Sequence, residues 1–257
     1  MKDLFSLAGR TALITGGSRG IGKMIARGFL AHGARVYISS RKAAVCEATA
    51  KELSSEGGQC LALPVDASSV AGVQALVAAY AKHESKLDIL VNNAGAAWLA
   101  EFDAFPEKGW DKVVDLNMKT PFFLTQALHG LLRAAASAQR PAKVINIVSI
   151  DGISLNGQET YSYHASKAGL MHLTRRMAVR LAPEHIVVSA IAPGAFPSDM
   201  NTIARDQEAE LAKRIPLQRV GTDEDMAGAA IYLASRAGDY VVGSTIIVDG
   251  GVTYARG

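Results

Sequence analysis

Seven short apolar runs, most of them followed by a stretch long enough for a helix, constrain the fold of this chain more than any other feature. The runs are TALIT (11–15), RVYIS (35–39), QCLALPV (59–65), LDILV (87–91), KVINIVS (143–149), HIVVSAIA (185–192) and STIIVDG (244–250), the third being the weakest. They are rich in β-branched residues and do not alternate apolar with polar, which is the pattern of strands covered on both faces. Helical stretches lie between them: Gly20–His32, where Ile21, Ile25, Gly28 and Phe29 share a face, then Ala43–Glu56, Ser68–Glu84, Trp110–Ala138, Tyr161–Leu181 and Asp223–Ser235. Strand, helix, strand, repeated, requires right-handed crossovers onto one sheet. The expected fold is therefore α/β: a single doubly wound Rossmann domain over residues 1–257 with a mostly parallel seven-stranded sheet. No linker, repeat or low-complexity tract divides it. Only 195–221 breaks the rhythm, as a polar, partly helical insertion before the last helix.

Composition removes several function classes. Nearly half the residues are hydrophobic (49%), enough for a large core. The net charge of +3, from 27 basic and 24 acidic residues, is too small to argue for nucleic acid. The six histidines are scattered, and Cys46 and Cys60 form no metal-ligand spacing and no disulfide framework. No metal is expected, and a reducing, cytoplasmic setting is. The start MKDLFSLAGR carries an early Asp3 and no apolar signal-peptide core, and no run reaches the roughly 18 apolar residues of a membrane span.

The first strand runs into T-G-G-S-R-G-I-G, residues 15–22, at the mouth of a helix. Gly16, Gly20 and Gly22 let the backbone approach a pyrophosphate, held by N–H groups and the helix dipole; Ser18, Arg19 and Ile21 complete the loop. A tight strand–helix turn alone would use the same glycines, and the spacing is TGxxxGxG rather than GxGxxG. The second strand separates the two nicotinamide cofactors. No Asp or Glu occurs between Asp3 and Glu47, so the carboxylate that would hold a ribose 2′-hydroxyl is missing. Ser40 and Arg41 stand there instead, with Lys42 next and Arg19 as a second cation. A hydroxyl and a guanidinium suit a 2′-phosphate, which favours NADP(H). In an open α/β sheet these loops all lie at the carboxyl edge of the strands.

Three further stretches complete a pattern: N-N-A-G at 92–95, Asn117 in DLNMKT, and Ser149 followed by Tyr163 and Lys167 in YSYHASK. With TGGSRGIG and the closing VDGG, the chain resembles the short-chain dehydrogenase/reductase family along nearly its whole length. NAGAAW, the Ser149-to-Tyr163 interval and IAPGAFPSDM are similar to the rhamnolipid-type β-ketoacyl reductases of that family. The resemblance implies that Ser149 orients a substrate carbonyl, Tyr163 donates the proton, Lys167 bonds the nicotinamide ribose, and Asn117 holds a water that relays protons to Lys167. It also implies that Asn93 and Gly95 shape the cofactor wall, that Asp66 contacts the adenine, and that Pro193, Gly194, Phe196 and Ser198 close the nicotinamide end. Ser198 stands where the family usually has threonine, and the Ser149-to-Tyr163 interval is one residue longer than usual. Each residue has a plainer use: Ser149 could cap the strand end, Asn117 could be a helix-interior amide, and Asp66 could cap the next helix in competition with Ser68 and Ser69.

The choice between the two tyrosines follows from helix geometry. Tyr163 and Lys167 are i and i+4, one turn apart on one face. Tyr161 lies about 200° around the helix from Tyr163 and has Ala165 at its i+4 position, so it is a packing residue or a pocket wall. A free tyrosine has a pKa of about 10, and the Lys167 ammonium together with an oxidised nicotinamide ring is expected to lower it; about 3 units would correspond to roughly 4 kcal/mol.

The 195–221 insertion is expected to act as a lid, with Phe196, Met200 and Ile203 near the site and Trp98 facing them; simple packing explains Trp98 and Phe196 equally well. An apolar pocket suits an acyl chain, a steroid or an aromatic ketone. The expected function is an NADPH-dependent carbonyl reductase acting on a 3-oxoacyl thioester, with Arg133 or Arg175 docking an acyl carrier protein if one presents the chain. A sugar-acid or polyol dehydrogenase similar to gluconate 5-dehydrogenase, a reductase of another apolar ketone, and a non-catalytic NADP-sensing protein are the alternatives. The family resemblance implies a homotetramer, packed through Trp110–Ala138 and Tyr161–Leu181.

Overall fold

The computed structural model describes residues 3–255. Each predicted strand forms: β1 (Thr11–Thr15), β2 (Arg35–Ser39), β3 (Gln59–Leu63), β4 (Ile89–Asn92), β5 (Ala142–Ile147), β6 (Ile186–Pro193) and β7 (Thr245–Val248). They pair in the order β3-β2-β1-β4-β5-β6-β7, and every pairing is parallel. The sheet is thus wholly parallel, and the order reverses between β1 and β4, which is where an open α/β sheet offers a ligand crevice. Helices α1 (Gly20–Ala31), α2 (Ala43–Ser55) and α3 (Val70–Ala81) follow the first three strands.

The helix expected over Trp110–Ala138 is broken. It starts earlier, as α4 (Glu107–Val114), passes through a π turn at Asp115–Lys119, and continues as α5 (Thr120–Ala127) and α6 (His129–Ala135). Pro121 supplies the physical reason: it has no N–H to donate to the carbonyl four residues back, that of Asn117, so the ladder widens just before it. The long helix α7 (Tyr161–Leu181) runs unbroken. The 195–221 segment is partly helical, as expected, with two short helices, α8 (Thr202–Asp206) and α9 (Glu208–Ala212). Helix α10 (Asp223–Ala234) begins with a capping box between Thr222 and Asp225.

Two apolar layers cover the sheet. One joins Ile14, Ile38, Val91, Ile145 and Ile191 to Ile25, Phe29, Met226 and Ile231 of α1 and α10. The other joins Leu13, Leu90, Val144 and Val188 to Leu76, Leu124 and Met177 of α3, α5 and α7. Burial on both faces explains why these strands carry continuous apolar runs. Among the described residues no helix is long and apolar enough to cross a membrane, and no group of His, Cys, Asp and Glu could hold a metal ion.

Candidate active site

The glycine loop is held open by its neighbours. Gly16 (φ +65°) and Gly20 (φ +50°) occupy the left-handed region that glycine tolerates best. A Cβ at Gly22 would collide with the Gly16 carbonyl oxygen and lie 2.5 Å from Asn93 Nδ2. Asn93 Nδ2 donates to the carbonyls of Thr15 (2.9 Å) and Gly16 (3.2 Å), while the Asn93 and Ala94 N–H groups donate to Thr15 Oγ1, both at 3.0 Å. Asn93 therefore braces the loop from behind. Gly17, which the sequence reasoning passed over, is equally constrained: a Cβ there would lie 2.6 Å from Ile38 Cγ2. The doubled glycine after Thr15 is the signal that could have found it. Ser18 is buried, and its carbonyl accepts from Thr49 Oγ1 at 3.0 Å; Ile21 packs on the core.

At the end of β2, Ser40 Oγ is buried and has no partner, and Arg41 beside it is exposed and makes no ion pair among the described residues. An orphaned buried hydroxyl, an uncommitted guanidinium and a cradle that side chains would fill are what a dinucleotide carrying a 2′-phosphate needs, so the residues fit NADP(H). In the glycine loop, the exposed Arg19 pairs through NH1 with Asp199 Oδ2 of the 195–221 segment at 2.6 Å. The insertion lies on the glycine loop, with Ser198 Cβ 3.1 Å from where a Gly20 Cβ would sit. Asp66, at the exposed end of the third crossover, accepts from the Ser68 N–H (3.0 Å), and Ser69 caps α3 by accepting from Gly72.

Strands β5 and β6 and helix α7 bring the other predicted residues together. Ser149 ends the β5 segment and its Oγ accepts from the Asp151 N–H at 3.1 Å, so it does cap a short turn, at Ile150–Gly152. The same hydroxyl faces the Tyr163 phenol. Lys167 is 4% exposed and Nζ donates to the Ile147 carbonyl at 2.8 Å, lying 5.6 Å from the Tyr163 ring centroid. Asn117, in the π turn, is buried; Oδ1 accepts from the Ala96 N–H (2.8 Å) and Nδ2 donates to the Ala96 carbonyl (2.9 Å). A Cβ on Gly95 would sit 3.3 Å from Asn117 Oδ1 and 3.8 Å from Lys167 Nζ. Pro193 and Gly194 close β6, the Gly194 N–H donating to Val248 (2.9 Å).

Electrostatics corrects one expectation. The phenol end of Tyr163 is enclosed, and burial pushes its pKa up to about 12; Ser149 opposes that rise and Asp151 adds to it. Lys167 does not bring it down, because its own burial pushes the lysine to about 8. At neutral pH the tyrosine is a protonated donor beside a weakly held ammonium.

Two placements near the insertion also differ from expectation. Phe196 is 2% exposed and turned into the core, where a Cβ on Gly221 would overlap its ring. Trp98 packs on Gly109, with Lys112 Nζ 5.3 Å from its ring centroid, so it faces α4 rather than the insertion. Both settle against glycines that leave ring-sized gaps. Met200 and Ile203 remain exposed. Tyr161 has edge contacts with Phe102 and Phe105, both at 5.6 Å, in keeping with a packing role.

A wholly parallel sheet with a glycine cradle at its switch point and a serine, tyrosine and lysine converging beside it defines a Rossmann-type oxidoreductase. Residues 16–253 match the family model described as Enoyl-(Acyl carrier protein) reductase. The chain belongs to the short-chain dehydrogenase/reductase family. It is 51% identical over 254 residues to a rhamnolipids biosynthesis 3-oxoacyl-[acyl-carrier-protein] reductase of Pseudomonas aeruginosa, covering 98% of this chain and 99% of that one. It is 39% identical to a 5-keto-D-gluconate 5-reductase of Escherichia coli, covering 99% of this chain and 100% of that one. Among solved structures, a Pseudomonas aeruginosa RhlG/NADP active-site complex superposes with a TM-score of 0.94 at 49% identity, covering 98% of this chain and 100% of that one.

Proposed function

We propose that the protein is an NADPH-dependent carbonyl reductase that acts on a 3-oxoacyl thioester. The observation that carries the reading is the convergence of Ser149, Tyr163 and Lys167 on one site, with Lys167 Nζ 5.6 Å from the Tyr163 ring centroid. When bound, NADPH supplies the hydride. Ser149 donates a hydrogen bond to the ketone oxygen and orients it. Tyr163 gives that oxygen its proton as negative charge develops there. Lys167 holds the ribose side of the site, and Asn117 connects Lys167 to solvent protons. Gly16, Ser18, Gly20, Ile21 and Gly22 hold the pyrophosphate, Ser40 and Arg41 the 2′-phosphate, Asp66 the adenine. Asn93, Gly95, Pro193, Gly194 and Ser198 shape the wall.

Similarity to the Pseudomonas 3-oxoacyl reductase supports the thioester, and the 5-keto-D-gluconate reductase supports a sugar acid as the second reading. A hydroxyl placed to bind a carbonyl oxygen favours ketone over carbon–carbon double-bond reduction. The 195–221 insertion acts as the lid, through Met200 and Ile203. Exposed Arg133 and Arg175 are the candidate docking cations for an acyl carrier protein. Exposed apolar side chains on the broken helix and α7, Trp110, Phe122 and Val179, support packing against further copies as a homotetramer. Two free buried cysteines suit a reducing, cytoplasmic compartment.

The test is NADPH oxidation with a short 3-oxoacyl thioester, a 5-keto sugar acid and an enoyl thioester, each repeated with NADH. Turnover of the 3-oxoacyl thioester with NADPH alone is expected. Turnover of only the sugar acid, or only the enoyl compound, would replace the substrate; equal use of NADH would reject the cofactor assignment.

A further inference from the structure

We infer that Ser166 is a positioning residue of this site: its hydroxyl fixes the Asn117 carboxamide and ties it to the turn that carries Tyr163. The inference rests on the reductase reading and adds a residue to it. Ser166 is 1% exposed and immediately precedes Lys167 on α7. A serine hydroxyl has a single proton to donate. Here it goes to the Tyr163 carbonyl at 2.8 Å, so the oxygen faces Asn117 as an acceptor, and Asn117 Nδ2 donates to it at 3.1 Å. The other Nδ2 proton goes to the Ala96 carbonyl, and Oδ1 accepts from the Ala96 N–H. Both amide protons are thereby used, and Oδ1 is turned to the Gly95 side, where Lys167 Nζ also lies.

The location gives this anchor its importance. Asn117 sits in the π turn, where the backbone ladder is widened and holds its residues less firmly than a regular helix does. The side chain compensates by bridging two elements, the segment after β4 through Ala96 and helix α7 through Ser166. Removing the Ser166 hydroxyl leaves one buried amide proton without a partner. Asn117 can then tilt, and a displacement on the order of 1 Å at such a group is enough to cost up to about a hundredfold in rate.

The experiment compares wild type, Ser166→Ala, Asn117→Ala and the double variant. For Ser166→Ala we expect kcat to fall about tenfold while NADPH affinity stays within about twofold. The alkaline limb of its pH–rate profile should shift, because a tilted carboxamide changes what faces Lys167 Nζ on the Gly95 side. In the Asn117→Ala background the serine substitution should cost nothing further, since the two act as a unit. Hydrogen exchange at the Ala96 amide, followed by mass spectrometry, should quicken in Ser166→Ala whatever the substrate. Unchanged kcat, additive losses, or unchanged exchange at Ala96 would overturn the inference. A wild type inactive toward every ketone, with faster Ala96 exchange in the variant, would overturn the reductase reading and leave the positioning intact.

Discussion

Lys143, within strand β5, and Lys167, bonded to the end of it, are both nearly fully buried, yet their surroundings are opposite. At the amino edge of the sheet, Lys143 meets Asp239 in a 2.8 Å ion pair, though not one aligned as a hydrogen bond. Close by, buried Arg10 donates to the Pro141 carbonyl at 2.9 Å, and buried Asp88 accepts from Thr11 N–H (3.0 Å) and Oγ1 (3.2 Å). At the carboxyl edge, Lys167 has a carbonyl for a partner and no carboxylate, Tyr163 is held protonated, and Ser40 Oγ has no partner. Burial lowers the pKa of both lysines, but only Lys143 has a carboxylate opposing the shift. The difference teaches where this fold places stability and where it places reactivity. A buried charge with its counter-ion is compensated and becomes costly only when one partner is lost, whereas one without a counter-ion is destabilising and available for chemistry.

The largest expected effect is at the reactive edge. Tyr163→Phe should lower kcat by about 10²–10⁴-fold while leaving NADPH binding and the thermal midpoint essentially intact. Steady-state rates beside a fluorescence titration and a melting curve check this, and substantial remaining turnover would place the proton donor elsewhere. Next comes the structural edge. Asp239→Ala strands Lys143 and should destabilise the fold by about 2–3 kcal/mol, below the usual 3–5 for a fully buried pair because Asp239 is partly exposed. Urea denaturation measures it; a loss of kcat at unchanged stability would erase the division between the two edges.

Arg41→Ala should weaken NADPH binding about 10–100-fold and leave NADH binding unchanged, the range of a charge-assisted contact to phosphate. Calorimetric titration with both cofactors would show it, and equal losses for the two would move the 2′-phosphate site away from β2. The smallest effects are in pH. The alkaline limb of the rate profile should fall near 8, where Lys167 loses its proton, and not near 12, where Tyr163 would. Stability carries the same signature. Between about 8 and 10.5 the unfolded chain keeps the Lys167 proton that the folded chain has released, so this group makes stability rise with pH. Between about 10 and 12 the folded chain keeps the Tyr163 proton longer, so that group makes it fall. Urea midpoints at pH 7.5 and 9.5 should show the first trend in wild type and lose it in Lys167→Met.

The seven strands, their parallel order of use and the cradle at Gly16–Gly22 were legible in the sequence because they depend on local pattern: β-branched runs, turn glycines, crossover lengths. The register of Tyr163 over Tyr161 was legible for the same reason, since helix geometry alone puts Lys167 one turn from the first. Even the break at Asn117 was written in Pro121, although the long apolar periodicity concealed it.

What the sequence left open concerns partners brought from far along the chain. Arg19 meets Asp199, 180 residues away. Phe196 turns into the core against Gly221, and Trp98 against Gly109. Ser166 became visible as a link only once the π turn lay beside α7. The Tyr163 pKa rises where a neighbouring lysine promised a fall, because desolvation depends on everything packed around a group and outweighs one cation that is itself desolvated. Spacing along a helix or strand is fixed by covalent geometry and needs only the sequence. Burial, ion-pair choice and proton affinity are set by contacts between distant segments, and tertiary packing alone decides them.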